Sequence, residues 1–407
     1  MKRHLIGIGG VGMSALATAL KRLGDEVTGA DRTLGTKNIA FLESLGIRCF
    51  PDDGSGIDAT TDEVIVSTAI EETNPGLIKA KELGIPVTHR AKALARTLQD
   101  YRLVAVVGTC GKSTVTAMLG HVLSECGLDP MCVNGANVPG WEGAVRFGKG
   151  RYAVAEVDES DKSLVAFKPY AAIVTNASAD HYSKEEMDEV FDAFVKDMPG
   201  PLVEGRQPEA LLDCLRAVDC LDLDVPVPGK HNLQNARLAA AMAIELGCDP
   251  RAVKNAITSF RGVERRLQRI GEGVYDDYAH NPEKLHAMWT TLAEAYPAGI
   301  CVVWRPHGYA PLRKMTDALA AMFNETIRPC DKLLLLPVYD AGGTTDRSIN
   351  SNALADRLTP GSCQMVEDLE AAYDWIKAHK GDYACFTTCG ARDPGLPVLA
   401  QRIADLG

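Results

Sequence analysis

A glycine loop followed by lysine and serine is the feature that most constrains this chain. The β-branched, apolar run at 103–107 predicts a strand before the loop, and residues 115–126 predict a helix after it. A strand, a glycine loop with Lys-Ser and a helix form the context of a phosphate-binding loop, whose backbone N–H groups surround phosphates. The full Walker spacing would need glycine at 106, where valine stands, so this is the shortened Gly-x-x-Gly-Lys-Ser form. The predicted nucleotide-binding residues are Gly108, Thr109, Cys110, Gly111, Lys112, Ser113 and Thr114.

Metal-binding side chains are predicted beside this loop. Lys112 would neutralise β- and γ-phosphate charge, and the Ser113 hydroxyl would ligate Mg²⁺. A strand at 152–157 runs into the acidic box 158–161, and a strand at 171–175 runs into Asn176 and then Asp180-His181. The carboxyl ends of parallel strands lie at the same edge of the sheet as the phosphate loop. Carboxylates at these ends are therefore well placed to bind Mg²⁺ through their oxygens. Helix capping and solvated loop acids remain the alternative for either cluster taken alone.

A second glycine loop lies at the N-terminus. A strand from His4, the motif Gly7-x-Gly9-x-x-Gly12, a helix over 13–23 and a strand over 26–30 ending at Asp31 predict a β-α-β unit. The glycines let the backbone approach a diphosphate at the helix N-terminus, where free N–H groups favour anions. Such a loop binds NAD, FAD or a nucleotide sugar, or only packs a helix closely.

A third α/β unit is predicted after Arg265-Arg266. Strands at 273–276, 300–304, 332–336 and 384–388 alternate with helices, which is typical of a doubly wound sheet. Before it, a helix is expected over 236–246. Asn232 and Asn235, three residues apart, would share a helical face and could hydrogen-bond an adenine edge, or Asn232 could be an N-cap. We therefore expect an α/β protein of three domains, 1–100, 101–262 and 263–407: a Rossmann-like domain, a central phosphate-loop domain and a second Rossmann-like domain.

Charge and cysteine content narrow the function classes. The 407 residues carry a formal charge of −11, which argues against a primary nucleic-acid binder because no cationic excess can neutralise phosphates. No apolar run approaches the ~18 residues of a membrane span, and glycine at position 7 interrupts any signal-peptide stretch. The 12 cysteines are scattered without zinc-like spacing, so we expect reduced thiols in a cytoplasmic protein. The protein is expected to be a monomer or a homodimer.

The ordered motifs resemble the Mur ligase family, ATP-dependent amide-forming enzymes of the peptidoglycan stem, over essentially the whole chain. The glycine-rich start Gly7–Met13 and the box Asp158–Asp161 are most similar to the UDP-N-acetylmuramate–L-alanine ligase and muropeptide ligase branch. The other matching motifs are Ser67-Thr68-Ala69-Ile70, Asn74-Pro75, Ile85-Pro86-Val87, Arg90-Ala91, Gly108–Ser113, Thr175-Asn176, Asp180-His181, Pro228–Asn232, Arg265-Arg266 and Asp276–His280.

The resemblance implies residue roles in each domain. The first domain would bind a UDP-N-acetylmuramate-like sugar nucleotide, the second ATP with Mg²⁺, and the third an amino acid or peptide; the product would serve peptidoglycan synthesis or recycling. ATP would phosphorylate the substrate carboxylate, and the amine would attack the acyl phosphate, releasing ADP and phosphate. The UDP-sugar residues implied are Gly9, Gly10, Val11, Gly12, Asp31, Ser67, Thr68 and Ala69. The ATP-binding, metal and catalytic residues implied are Lys112, Ser113, Glu159, His181, Arg266, Asp277, Asn232 and Asn235.

Two departures from the family pattern concern length and the amine. The stretch from Pro199 to Pro228 is much shorter than in the alanine ligases, so part of the middle domain is expected to be trimmed. Where those ligases carry Pro-His-Arg-Tyr-x-Arg, with arginines that bind the alanine carboxylate, this chain has Gly308 and Pro311. His280, Arg305 and Arg313 are then the candidate amine-site residues. We expect free L-alanine to be a poor acceptor unless Arg305, Arg313 or a shifted loop compensates.

Rival interpretations remain open from sequence. One is a superfamily amide ligase for another carboxylate, as in folylpolyglutamate and cyanophycin synthetases; the glycine-rich first domain speaks against a folate enzyme. Another is a non-catalytic nucleotide-binding protein or a nicotinamide enzyme. The phosphate loop disfavours a dehydrogenase, and a dead ligase is disfavoured because Lys112, Glu159 and His181 are all present.

Overall fold

The computed structural model describes residues 1–158, 163–177, 184–220, 222–340 and 346–407. Three separate sheets follow one another along the chain, and each is covered by helices. This is the expected mixed α/β architecture of three domains.

The first sheet is wholly parallel, with strand order β3-β2-β1-β4-β5. The chain runs outward from β1 on one side and then returns to its other side, so β1 and β4 are the strands where the order reverses. Ligands of open α/β sheets bind at such a point, outside the carboxyl ends of the strands. Its elements are β1 (Lys2–Ile6), α1 (Val11–Arg22), β2 (Glu26–Asp31), α2 (Lys37–Ser44), β3 (Arg48–Pro51), β4 (Glu63–Val66), α3 (Pro75–Glu82), β5 (Val87–His89) and α4 (Arg90–Thr97).

The second sheet has strand order β11-β10-β6-β9-β7-β8, and β6 pairs in parallel with both β9 and β10. The residues after these three strands therefore meet at one edge, as the sequence predicts. The elements are β6 (Arg102–Val107), α5 (Lys112–Glu125), β7 (Met131–Val133), β8 (Val145–Arg146), β9 (Tyr152–Glu156), a 3₁₀ turn (Ser163–Ala166), β10 (Ala171–Val174), α6 (Lys184–Val195), β11 (Leu202–Glu204), α7 (Pro208–Ala217), α8 (Lys230–Glu245) and α9 (Pro250–Thr258).

The third sheet has strand order β12-β13-β17-β14-β15-β16, and β17 returns between β13 and β14, in parallel with both. The sequence-predicted strands are confirmed, with ends shifted by at most one residue. The elements are β12 (Gln268–Gly271), β13 (Val274–Asp277), α10 (Pro282–Ala295), β14 (Ile300–Trp304), α11 (Tyr309–Thr326), β15 (Lys332–Leu335), α12 (Asn352–Ala355), β16 (Cys363–Met365), α13 (Leu369–Ala378), a second 3₁₀ turn (Lys380–Asp382), β17 (Cys385–Cys389) and α14 (Gly395–Ala404).

The three sheets fall into two compact units. One contains residues 1–226 and 232–263, and the other contains 227–231 and 264–407. A single hydrophobic core runs through the first two sheets, from Leu5 in β1 to Phe191 in α6. The first two domains are therefore joined by shared apolar packing, and the boundaries at 100 and 262 remain predictions.

The start of helix α8 differs most from the sequence prediction; α1 and α5 begin two and three residues earlier than expected. Helix α8 begins at Lys230, six residues before the expected start at Ala236. Asn232 consequently lies inside the first turn of the helix, so the alternative that it is an N-cap is wrong. Its side chain is 3% exposed. Asn232 and Asn235 are the buried residues of this stretch, whereas Lys230 and His231 are exposed.

Candidate active site

The phosphate loop depends on two glycines in backbone conformations that other residues rarely adopt. Gly108 has φ +129° and Gly111 has φ +84°. A Cβ on Gly108 would lie 2.1 Å from Thr175 Oγ1, so no larger residue fits there. Gly111 is the N-cap residue of α5, and Lys112 is its first helical residue. The loop therefore delivers Lys112, Ser113 and the free N–H groups of a 14-residue helix to the same place.

Asn176 holds this loop from the neighbouring strand β10. Its Oδ1 accepts hydrogen bonds from Thr109 Oγ1 at 2.6 Å and from the Cys110 N–H at 2.9 Å. Its Nδ2 donates to the Cys110 carbonyl at 3.0 Å, and Thr175 Oγ1 donates to the same oxygen at 2.7 Å. The loop shape is therefore fixed by side chains 65 residues and more away in sequence. The Lys112 ammonium donates to the Gly108 carbonyl at 2.6 Å and so stays over the loop.

The two predicted asparagines of α8 lie against this loop. A Cβ on Gly111 would come within 2.6 Å of Asn235 Oδ1, and Asn235 Nδ2 donates to Asn232 Oδ1 at 3.3 Å. The structure thus brings Asn235 to the nucleotide loop and links it to Asn232. Their assignment to adenine remains a prediction.

The metal ligands predicted from sequence fall partly outside the described residues. Ser113 lies in the first turn of α5 with 5% exposure, and Thr114 follows it with 8%. Asp158 follows β9, directly beside the loop strand β6. Glu159, Asp180 and His181 lie outside the described residues. A hydroxyl and a carboxylate are oxygen donors of the kind that suits Mg²⁺, so Ser113 and Asp158 are compatible with the predicted site.

The first glycine loop is organised by side chains from β2 and α2. The Gly9 N–H donates to Asp31 Oδ2 at 2.8 Å, and the Gly9 carbonyl accepts from Asn38 Nδ2 at 2.8 Å. Gly7 has φ +76°, and Gly10 caps α1, whose first residues are Val11 and Gly12. The predicted residues Gly9 and Asp31 are therefore in direct contact, whereas sequence reasoning missed Asn38, which no local pattern marks.

Arg90 is a further residue that sequence reasoning quoted but did not assign to the site. A Cβ on Gly12 would lie 2.8 Å from Arg90 Nη1, so the guanidinium lies over the first turn of α1. Ser67, Thr68 and Ala69 follow β4 at the reversal point, and Ile70 beside them packs 3.3 Å from the Cβ position of Gly7. The site thus offers a helix N-terminus and one cation, the combination that suits a diphosphate.

In the third sheet, the acidic pair at the end of β13 is buried. Asp276 is fully buried and forms an ion pair with Arg265 at 2.9 Å. Asp277 accepts hydrogen bonds from the N–H groups of Leu267 at 2.6 Å and Ala279 at 2.7 Å. Burial raises the pKa of Asp277, and the Arg266 charge opposes this. The predicted residues Arg266 and Asp277 are therefore neighbours. The Asp277 carboxylate is also hydrogen-bonded to two backbone segments, at Leu267 and at Ala279.

Two histidines meet at the same sheet edge. The rings of His280, after β13, and His307, after β14, lie 4.9 Å apart at 73°. The pKa of each ring is lowered to about 4, and burial is the largest cause of this shift. Both imidazoles are therefore neutral at physiological pH.

The two arginines predicted for the amine site are engaged elsewhere. Arg305 Nη1 donates to Asp393 Oδ2 at 2.6 Å, and its Nε donates to the Pro337 carbonyl. Arg313 pairs with Asp346 at 2.9 Å and donates to Ser348 Oγ at 3.0 Å. A role for either in binding the amine would require exchange of these partners and remains a prediction.

Comparison with known proteins identifies the family. The model "Mur ligase family, catalytic domain" matches residues 2–102, and "Mur ligase, glutamate ligase domain" matches residues 265–392. A UDP-N-acetylmuramate–L-alanine ligase of Sinorhizobium medicae is 33% identical, over 99% of this chain and 97% of its own length. The enzyme of that name from Bartonella bacilliformis is 30% identical, over 99% and 96%.

The chain belongs to the Mur ligase family. It is thereby placed among ATP-dependent ligases that form carbon–nitrogen bonds.

Solved Mur ligases share the fold. The structure matches the UDP-N-acetylmuramate–alanine ligase of Thermotoga maritima with a TM-score of 0.82 and 26% identity, over 100% of this chain and 99% of the other. It matches a murein peptide ligase of Psychrobacter arcticus with a TM-score of 0.71 and 20% identity, over 100% and 98%. The alignment to the Sinorhizobium relative spans 461 positions against 407 residues here, so that relative carries segments that this Mur ligase lacks.

All twelve cysteines of this Mur ligase stand as free thiols in the structure, and their reduced state in the cell remains a prediction. None of the helices in the described residues combines the length and apolar character that a membrane span needs.

Proposed function

We propose that this Mur ligase joins the carboxylate of UDP-N-acetylmuramate, or a close relative, to the amino group of an amino acid or peptide, with cleavage of ATP to ADP and phosphate. The observation that supports this most is the phosphate loop: Lys112 at the N-terminus of α5, two glycines that admit no side chain, and Asn176 bracing the loop. Relatives named UDP-N-acetylmuramate–L-alanine ligase along the full chain support the substrate class.

The chemistry brings a carboxylate towards a γ-phosphate. Both groups are negatively charged, so their electrostatic repulsion is a barrier to the reaction. The Lys112 ammonium and the helix N-terminus would lower that barrier, because both lie at the loop that is proposed to hold the phosphates. Mg²⁺ would be held by Ser113 with Glu159, and by His181, and supplies further charge neutralisation when bound. Arg266 is proposed to reach phosphate and Asp277 to fix the nucleotide.

The sugar nucleotide is proposed to lie at the reversal point of the first sheet. Its diphosphate would meet the N–H groups of Val11 and Gly12 and the Arg90 guanidinium, which lies over the same turn. Asp31 and Asn38 hold the loop in shape from either side of Gly9. Ser67, Thr68 and Ala69, which follow β4 at the reversal point, are proposed to contact the same ligand.

The test is phosphate release by the full chain. We expect release that requires ATP, Mg²⁺, UDP-N-acetylmuramate and an amino acid together, with a product whose mass equals the sum of both substrates less water. Lys112→Ala should abolish release and still bind UDP-N-acetylmuramate in a calorimetric titration. Release that ignores the sugar nucleotide, or more than a few per cent of wild-type turnover in Lys112→Ala, would contradict the proposal.

A further inference from the structure

The loop after β17 occupies the centre of the third sheet's carboxyl edge. β17 lies between β13 and β14, and Cys389, its last residue, is in register with Asp277 on one side and Trp304 on the other. The chain therefore continues from Cys389 into the space between the ends of two strands that carry His280 and His307. Ligands of open α/β sheets bind in this crevice.

This loop is held on both sides. The Gly390 N–H donates to the Asp277 carbonyl at 3.2 Å, and the Gly390 carbonyl accepts from Arg265 Nη2 at 2.6 Å. Asp393 is 5% exposed, accepts from Arg305 Nη1 at 2.6 Å, and accepts from the Gly395 N–H at 2.8 Å. The two residues between Gly390 and Asp393 are thus presented from fixed anchors.

Arg392 is one of these two residues, and it is exposed. Within the described part of the chain its guanidinium makes no ion pair or hydrogen bond, in contrast to the engaged Arg305 and Arg313. The positive charge of Arg392 nevertheless acts on the histidine pair. It is the second largest cause of the lowered pKa of His307, and burial of the ring is the largest. An arginine that is anchored at its base but without a carboxylate partner is suited to bind one from a ligand.

We infer that Arg392 determines the specificity for the amine substrate by binding its free carboxylate. The inference rests on the proposed function, because it assigns a residue to one substrate of that reaction. It supplies the guanidinium that Gly308 and Pro311 do not. It also gives a residue that could compensate for the missing arginines, besides Arg305, Arg313 and a shifted loop.

The experiment compares each amino acid with its amide. Wild-type enzyme is assayed with L-alanine, glycine and L-serine and their carboxamides, with UDP-N-acetylmuramate and ATP saturating. We expect the best amino acid to exceed its amide in kcat/KM. Arg392→Ala should raise the KM of that amino acid about 10- to 100-fold with the KM of ATP unchanged, while the amide is unaffected. Arg392→Lys should recover part of the loss.

Arg357→Ala is the matched control, since Arg357 is an exposed arginine of the same unit that pairs with Asp317 at 3.7 Å. It should keep wild-type constants. An unchanged ratio of amino acid to amide in Arg392→Ala, or a wild type that uses amides equally well, would overturn the inference while ligation itself continues. Loss of phosphate release with every acceptor in the wild type would instead overturn the proposed function, and the inference with it.

Discussion

Asn176 and Asn38 each hold one glycine loop through side-chain hydrogen bonds, and they offer a paired test at the scale of the residue. Asn176→Ala removes three bonds to the phosphate loop, and Asn38→Ala removes the bond to the Gly9 carbonyl. At about 1 kcal/mol for each bond, Asn176→Ala should raise the KM of ATP about 10-fold or more. Asn38→Ala should instead raise the KM of the sugar nucleotide several-fold.

Steady-state kinetics with each substrate varied in turn measures both effects. Each variant is the control for the other, because each loop is proposed to hold one nucleotide. Equal effects of both variants on both substrates would contradict the assignment of one loop to each.

His4 links the first domain's stability to pH. The side chain is 1% exposed, its Nδ1 lies 2.9 Å from Thr28 Oγ1, and burial lowers its pKa to about 4. The unfolded chain takes up this proton near pH 6.5 and the folded chain only near pH 4. Stability is therefore lost as the pH falls through that window, by up to about 3 kcal/mol.

His4→Asn keeps a polar group near Thr28 and removes the titration. We expect the variant to be less stable at pH 7.5, because the ring that packs 6.3 Å from Phe50 is lost. Its urea midpoint should fall less than that of the wild type between pH 6.5 and pH 4.5. Parallel pH profiles for the two proteins would show that His4 does not titrate as described.

Residues that act through distant contacts could not be read from sequence. The glycines, Lys112 and Ser113 were predictable because a phosphate needs them at fixed spacing next to a strand. Arg90, Asn38 and Arg392 carry no such spacing next to a strand and a loop. Each gains its position only when α4, α2 or the loop after β17 is placed beside a partner element.

At the scale of the element, helix α5 has a glycine at each end. Substituting the two glycines separates the effect of backbone strain from the effect of a steric clash with Asn235. Gly111 and Gly127 have φ +84° and +78°, so alanine is strained at either position. Only at Gly111 would the added Cβ also meet Asn235 Oδ1, at 2.6 Å; at Gly127 nothing lies within 4 Å.

We therefore expect Gly127→Ala to cost about 1–2 kcal/mol of stability, with ATP binding retained. Gly111→Ala should lose more stability and also most ATP binding, because it displaces Asn235 from the loop. Chemical unfolding and titration with a non-hydrolysable ATP analogue measure the two quantities. Equal ATP affinity in both variants would contradict the close approach of α8 to the loop.

The elements themselves were predictable where an apolar run or a glycine turn marks them. The strands at 103–107, 171–175 and 300–304 are short apolar runs, and each is confirmed within about one residue. The start of α8 was not predictable, because five of the six residues Lys230–Asn235 are polar and no apolar period marks a helix there.

At the scale of the whole molecule, one core joins the first two sheets. Leu94 and Leu98, in and after α4, belong to the same buried cluster as Leu164 and Phe167 beside the 3₁₀ turn at Ser163–Ala166. A fragment of residues 1–100 would expose these side chains to water. We expect it to unfold at a clearly lower temperature than a fragment of residues 1–263, which should unfold in one transition.

Calorimetry of the two fragments measures this difference. Two separate transitions in the longer fragment, one of them matching the short fragment, would contradict a shared core.

Three domains were predictable from three successive α/β patterns. The sharing of a core was not, since it depends on how α4 packs against a turn some 70 residues later.

The central claim is that ATP activates a carboxylate of the sugar nucleotide as an acyl phosphate. Labelling that carboxylate with ¹⁸O tests it directly, because collapse of an acyl phosphate under attack by an amine leaves one carboxylate oxygen on the released phosphate. The account predicts one ¹⁸O in each phosphate formed during ligation, measured by mass spectrometry. Released phosphate without ¹⁸O, at the same yield of ligated product, would contradict it.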